Sequence, residues 1–306
     1  MTSSAIPDNF LRGKPADASL RQVDFMATTP PIPAYKGYFA AIVDNFMTES
    51  ECKELLRLAE ASTVPGNPTS AATWEQAMVN AGNGRQVMSV DTRKSGRIIW
   101  DSPEMASRLL DRLMPFLREC RIVEIDSQPH ITGLGPAKRR EVYQLSGLNE
   151  RIRFLRYEGG DYFRPHWDGC YVTPDGSQRS FYTVHLYLNG EGEQDMEELR
   201  PHIEAAEKKN GLFAQAGGID LRDVGDGASE EPGGGRDSSS AADEKLLGGA
   251  TSFTDGFSAT DAVRVFPKTG SLLIFQQRNL FHAGDDVFRG VKYTVRTDIM
   301  YRKKEE

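Results

Sequence analysis

The sequence predicts a β-rich α+β fold, an antiparallel sandwich or jelly roll with helices flanking its N-terminal side. Three observations carry this. Five segments after residue 150 are short, rich in β-branched and aromatic residues, and punctuated by Gly, Pro and Asp: RIRFLRY (151–157), FYTVHLYL (181–188), AVRVF (262–266), SLLIF (271–275) and KYTVRTDIMY (292–301). No regular helical crossover separates them, which argues against a parallel α/β sheet. The two amphipathic helical patterns both precede residue 121, and 306 residues that are 39% hydrophobic suffice for one large core.

Taken in order, residues 1–35 are polar and end in Pro30-Pro31-Ile32-Pro33, the composition of an extended N-terminal arm. A single domain is expected over 36–306. It opens with YFAAIVDNF (38–46) as a strand. Thr48-Glu49-Ser50-Glu51 is a capping-box pattern that starts a helix carrying Leu55, Leu56 and Leu58. A second helix follows Ser102, with Pro103 at its first position and Met105, Leu109, Leu110 and Leu113 at helical spacing. Both helices are expected to pack on the sheet. Residues 191–247 interrupt the strand pattern with 15 acidic and 6 basic residues. A charged stretch at roughly 194–209 reads as a helix. Gly217-Gly218, Gly233-Gly234-Gly235 and Ser238-Ser239-Ser240 then bury too little apolar surface to offset their ordering entropy. This segment is read as an acidic, mobile insertion.

The formal net charge of −7 belongs to that insertion, because the rest of the chain carries 29 acidic and 31 basic residues. No basic stripe with interleaved aromatics suggests nucleic-acid binding. Cys52, Cys120 and Cys170 are odd in number and lack metal-site spacing, as expected of free thiols in a reducing compartment. The first residues contain no apolar h-region, and no apolar run reaches the length of a membrane span. A cytoplasmic or nuclear protein with no membrane partner is the expectation. Nothing in the sequence sets an oligomeric state.

His166-Trp167-Asp168 and, much later, His282 are the residues with the clearest chemistry. On a strand, residues two apart share a face, so His166 and Asp168 can reach one metal while Trp167 turns away. His282 lies just beyond SLLIF, where it can return to the same point. Two imidazoles and a carboxylate form the facial triad of non-haem Fe(II) oxygenases, with coordination positions left open. Lys292, ten residues after His282, is a candidate for holding the far carboxylate of a 2-oxoglutarate cosubstrate. The other histidines fit less well. His202-Ile203-Glu204 falls in the charged helix, where residues two apart do not face each other. His185 reads as a satisfied core histidine and His130 as a loop residue. Cys170 reads as a small buried residue, Phe163 and Phe181 as core, and Trp74 as a residue able to contact substrate.

RFLRYEGGDYFRPHWDG (153–169), RSFYTVHLYLNG (179–190), GGATSF (248–253), PKTGSLLIFQQRNLFHAG (267–284) and GVKYTVRTDIMYR (290–302) together resemble, in order and content, the prolyl-4-hydroxylase-like branch of the Fe(II)/2-oxoglutarate-dependent dioxygenases. The resemblance spans about 150–302 outside the insertion, and more loosely 38–120. It implies a double-stranded β-helix core. It implies Fe(II) on His166, Asp168 and His282, and 2-oxoglutarate held by Lys292 and Tyr157. Thr183 would line the cosubstrate pocket, and Arg296 is the alternative anchor. The implied reaction is hydroxylation of a protein side chain or small molecule by O2, with 2-oxoglutarate decarboxylated to succinate and CO2 and ascorbate as a reductant. Two departures weaken any inference of peptidyl proline as substrate. Ala250 stands where the family pattern Gly-Gly-x-Thr usually has Glu, and the chain lacks the secretory signals of the collagen-modifying members. The rival readings are a non-catalytic β-helix binding or sensor module and a cupin-type metalloprotein that uses no 2-oxoglutarate.

Overall fold

Two antiparallel sheets face each other in the computed structural model, which describes residues 6–13, 17–64, 70–80, 86–216, 244–256 and 262–305. The larger sheet runs in the order Ser19–Gln22, Ala40–Asp44, Leu272–Gln276, Gln178–Tyr187, Lys292–Lys303, Arg151–Tyr157, Gly96–Asp101 and Glu75–Gln76. Tyr143–Leu148 pairs with the far end of Lys292–Lys303. The smaller sheet runs Val263–Val265, Thr251–Phe253, His282–Gly284, Tyr162–His166 and Arg93–Lys94. Phe253 from the small sheet meets Phe275 from the large one edge-on at 5.6 Å, and both belong to a cluster with Tyr187, Leu273 and Phe281. The β-rich, antiparallel architecture expected from the sequence is present, and the five predicted strands lie within two or three residues of their expected bounds.

The outer face of the large sheet carries the two helices. Glu49–Ser62 is opened by the predicted capping box, with Glu51 N–H donating to Thr48 Oγ1 at 3.2 Å and Thr48 N–H to Glu51 Oε2 at 2.9 Å. The same Glu51 accepts from Arg112 at 2.7 Å, so the cap also ties the first helix to the second, Pro103–Glu119. Leu55, Leu58, Met105, Leu109 and Leu113 pack there against Phe154, Val295 and Ile299. A bulge between Ser180 and Tyr182 turns both Phe181 and Tyr182 toward this layer.

Alternation therefore assigns the strand faces. Along Lys292–Lys303, Tyr293, Val295 and Ile299 face the helices. Lys292, Thr294, Arg296 and Asp298 face the small sheet. The register brings Asp298 opposite Thr183, Arg296 opposite His185, Thr294 opposite Tyr187, and Lys292 opposite Tyr157.

In the segment expected as an extended arm, residues 6–13 and 17–35 are described and touch the body of the fold. Ser19–Gln22 pairs with Ala40–Asp44 as an edge strand, and Phe10, Leu11, Phe25, Ile32 and Tyr35 are buried. Arg108 donates to the Pro7 and Phe10 carbonyls at 2.6 and 2.9 Å. A few apolar residues dispersed among polar ones suffice to dock the segment. His130 lies in a one-turn helix, Pro129–Thr132, rather than in a loop. The charged helix spans Met196–Ala216. The ends of the insertion are tied together: the Gln194 amide both donates to the Gly248 carbonyl and accepts from its N–H, at 2.9 and 2.7 Å. Residues 217–243, with the glycine and serine tracts expected to be mobile, lie outside the described residues. No described helix is long and apolar enough to cross a membrane.

Candidate metal centre

Tyr162–His166 ends at His166, and Asp168 follows two residues on, while His282 opens the neighbouring strand His282–Gly284. Pairing of these strands puts His166 opposite His282. The ligand atoms of His166, Asp168 and His282 all lie within 4.8 Å of one another, a group able to hold a metal ion. His166 Nε2 is 3.7 Å from Asp168 Oδ1, and His282 Nε2 is 3.6 Å from Asp168 Oδ2. Each imidazole is oriented by its own strand, with His166 Nδ1 donating to the Arg164 carbonyl at 2.8 Å and His282 Nδ1 to the Leu280 carbonyl at 3.1 Å. A carbonyl can only accept, so both Nδ1 atoms carry the proton and both Nε2 atoms turn toward Asp168. Burial, with His166 alongside, pushes His282 down to about 4, which keeps its ring neutral and its lone pair available near pH 7. Trp167 points out as expected, 59% exposed, with its ring 4.5 Å from Phe281.

Asp168 sits in a hydrogen-bonded shell. Thr183 Oγ1 donates to Asp168 Oδ2 at 2.6 Å, and Arg296 lies 2.9 Å from Asp168 Oδ1. Burial opposes the charge on Asp168, but Arg296 and the two imidazoles hold its pKa well below the usual carboxylate value. Behind Thr183, Gln277 donates to Asp298 at 3.1 Å and is itself bonded by Ser180. Asp298 also lies 3.5 Å from Arg296 and 3.3 Å from Arg153. Arg296 thus bridges the carboxylate of the triad and a second buried carboxylate on its own strand.

Lys292 lies on the same inner face, 1% exposed, with Nζ 5.1 Å from the Tyr157 ring and 5.9 Å from the Tyr187 ring. Among the described residues its ammonium forms no ion pair. Burial pulls its pKa to about 8, with Asp285 working in the other direction. Asp285 is engaged elsewhere, by Ser252 at 2.5 Å and Arg264 at 3.0 Å. Between Lys292 and the triad, three buried polar atoms have no hydrogen-bond partner among the described residues: His185 Nε2, Thr294 Oγ1 and Arg296 Nε.

The inner face thus gathers all seven residues singled out from the sequence. Their placement refines two expectations. Thr183 bonds the triad carboxylate, and Arg296 is bound to Asp168 and Asp298, so neither is where Lys292 is. Three other expectations are corrected. His185 is an unpartnered polar group in the interior rather than a satisfied core histidine. Cys170 is exposed rather than buried. Trp74 packs against Tyr293 on the helix-bearing face, away from the triad.

Sequence reasoning missed Arg93, Phe163 and Asp298. Phe163, expected in the core, stacks on His166 at 3.6 Å. The Arg93 guanidinium lies over the Phe163 ring at 4.5 Å and is bonded to Ser95 at 3.2 Å. Burial lowers the Arg93 pKa, with the Tyr157 hydroxyl opposing. No local signal marks Arg93. Strand alternation is the signal that could have found Asp298, two residues past Arg296 on one face.

No protein-family model matches the chain, and no curated protein does. Several solved structures are similar. A viral collagen prolyl hydroxylase of Paramecium bursaria Chlorella virus-1, in a 2OG complex, is 16% identical with a TM-score of 0.39, covering 86% of this chain and 96% of its own. A Trichoplax adhaerens prolyl hydroxylase, in complex with a peptide fragment of the hypoxia inducible factor oxygen degradation domain, is 15% identical with a TM-score of 0.44, covering 86% and 83%. A Pseudomonas putida prolyl-4-hydroxylase is 14% identical with a TM-score of 0.41, covering 87% and 94%. These likenesses are distant, and the chemistry of the site rests on its own residues.

Proposed function

We propose that this protein is an Fe(II)- and 2-oxoglutarate-dependent oxygenase of the prolyl-4-hydroxylase-like type, built on a double-stranded β-helix formed by the two facing sheets. One observation carries the reading: a convergent His-Asp-His group and a buried ammonium without an ion-pair partner share one interior face, with unpartnered polar atoms between them. Buried polar groups are almost always bonded, so this run of exceptions points to a polar ligand. The donor set of two neutral nitrogens and one carboxylate oxygen suits Fe(II) and leaves coordination positions open. Lys292, flanked by Tyr157, suits a carboxylate at the far end. A metal alone, as in a cupin-type protein, would give Lys292 no role.

The residues divide the work as follows. His166, Asp168 and His282 would hold iron, with Thr183 and Arg296 fixing the Asp168 carboxylate. Lys292 and Tyr157 would bind the distal carboxylate of 2-oxoglutarate. Phe163 stacks on His166 and Phe275 packs edge-on against His282, excluding water around the two imidazoles. When bound, iron with 2-oxoglutarate and O2 supplies oxidative decarboxylation to succinate and CO2 coupled to substrate hydroxylation, with ascorbate as a reductant. Trp167, exposed beside the triad, is placed to meet a protein or small-molecule substrate. The test is anaerobic titration with Fe(II) and 2-oxoglutarate, followed by admission of air. A visible charge-transfer band that requires both components, and succinate after air, is the expected result. A folded, metal-loaded protein with no such band and no succinate would leave the cupin or binding-module reading in its place.

A further inference from the structure

His185 is a polar residue on the inner face to which the proposed function gives no role. It projects from Gln178–Tyr187 midway between Thr183, which touches Asp168, and Tyr187, which flanks Lys292. Its ring stacks on Tyr187 with centroids 5.1 Å apart and planes at 22°. Nε2 is buried and has no partner, and Thr294 Oγ1, on the residue paired with Tyr187, is likewise unpartnered. Burial and then Lys292, its strongest electrostatic neighbour, drive the His185 pKa well down, so the ring is neutral and offers one N–H and one lone pair. An apolar side chain would satisfy packing here without leaving a buried nitrogen unbonded, which is costly.

We propose that His185 is a cosubstrate-binding residue whose imidazole N–H donates to the same distal carboxylate that Lys292 holds, with the Thr294 hydroxyl as a third donor. This rests on the reading of the site as a 2-oxoglutarate site. It adds a neutral, directional hydrogen bond to an ammonium that is otherwise a point charge. The carboxylate would then be read by geometry as well as by charge.

The experiment is calorimetric titration of 2-oxoglutarate into the Mn(II)-loaded protein, which needs no turnover. The variants are His185→Leu, His185→Asn and His185→Gln. Gln keeps a donor near the Nε2 position and Asn does not, so that pair decides the matter even if the Leu variant is unstable. The dissociation constant is expected to rise about tenfold in H185L and H185N and to return within about threefold of wild type in H185Q. Mn(II) affinity and the melting temperature without 2-oxoglutarate are expected to fall in none of them. Wild-type affinity in H185N, or a loss in H185Q as large as in H185N, would overturn the His185 assignment alone. A wild-type protein that binds Mn(II) but no 2-oxoglutarate would overturn the underlying reading, and the assignment with it.

Discussion

Replacing Lys292 with Met separates a binding site from a structural lysine, because the two roles predict opposite signs for stability. Met is close in length and apolar, so packing beneath Tyr157 and Tyr187 is largely kept. The Lys292 ammonium is 1% exposed, and burial lowers its pKa from 10.5 to about 8. At about 1.4 kcal/mol per unit, that is a destabilisation of about 3 kcal/mol carried by the ligand-free protein. The penalty is fully present below pH 8, where the folded protein holds the charged form. It is relieved between about 8 and 10.5, because the unfolded chain binds more protons there and stability rises with pH. K292M is expected to unfold at higher urea than wild type at pH 7, by about 2–3 kcal/mol, and to lose the rise in stability at alkaline pH. If Lys292 holds the distal carboxylate as proposed, the same change removes a buried charged partner, so 2-oxoglutarate affinity should fall by roughly a hundredfold or more. Urea unfolding of the ligand-free protein and titration of the Mn(II)-loaded protein read the two effects separately. A variant that is less stable than wild type and binds 2-oxoglutarate normally would refute the reasoning.

Asp168→Ala should abolish metal binding and succinate formation while the protein remains folded, since the change also removes the buried charge and leaves Arg296 its contact with Asp298; an active D168A enzyme would discard the triad. Arg296→Gln should lower stability by about 2–4 kcal/mol, because buried Asp168 loses its counter-charge. The same variant should bind Mn(II) more tightly, because a cation 2.9 Å from the ligand carboxylate no longer competes, and isothermal titration reads that change. Weaker metal binding together with a K292M-like loss of 2-oxoglutarate affinity would make Arg296 the anchor. Gly270→Ala should cost about 3 kcal/mol or more, because Gly270 has φ +74° and an added Cβ would lie 1.9 Å from the Met47 carbonyl oxygen. An unchanged melting temperature would contradict that packing.

The strands and both helices were legible because their signals are local. The capping box at Thr48–Glu51 and Pro103 after Ser102 mark helix starts without help from the rest of the chain. The N-terminal segment was not legible as part of the sheet. Its edge strand is polar, and its docking depends on isolated apolar residues such as Phe10 and Phe25, whose partners are distant in sequence. His166, Asp168, His282 and Lys292 could be read because their types are specific and their spacing matches a pattern. Arg93 could not. It reaches the site only because Arg93–Lys94 pairs with Tyr162–His166, and nothing near residue 93 encodes that pairing. Asp298 and Gln277 meet beneath Thr183 by strand register, which slips by one residue at the Ser180 bulge and could not be counted from the sequence.

Lys292–Asp298 shows why alternation alone is an incomplete guide to such a strand. Its outer residues follow the rule of an apolar face on the helices. Its inner positions are Lys, Thr, Arg and Asp, where a sandwich core would place Val, Ile or Leu. Arg296 holds Asp168 at 2.9 Å and Asp298 at 3.5 Å through its terminal nitrogens, so half of this polar run is a buried network, with only Arg296 Nε in it left unbonded among the described residues. Among the described residues Lys292 has ring contacts but no ion pair, and Thr294 Oγ1 and the His185 Nε2 opposite Arg296 have no hydrogen-bond partner. A network closed at the metal end and open at the lysine end is asymmetric in a way that stability alone would not maintain. The closed end positions Asp168 before any ligand arrives, and the open end leaves its hydrogen-bonding capacity for a ligand to complete. Binding at the open end should therefore stabilise the fold more than metal alone does. Melting curves with Mn(II), with and without 2-oxoglutarate, check this directly: equal shifts would mean that the unpartnered groups remain unpartnered and are not a ligand site.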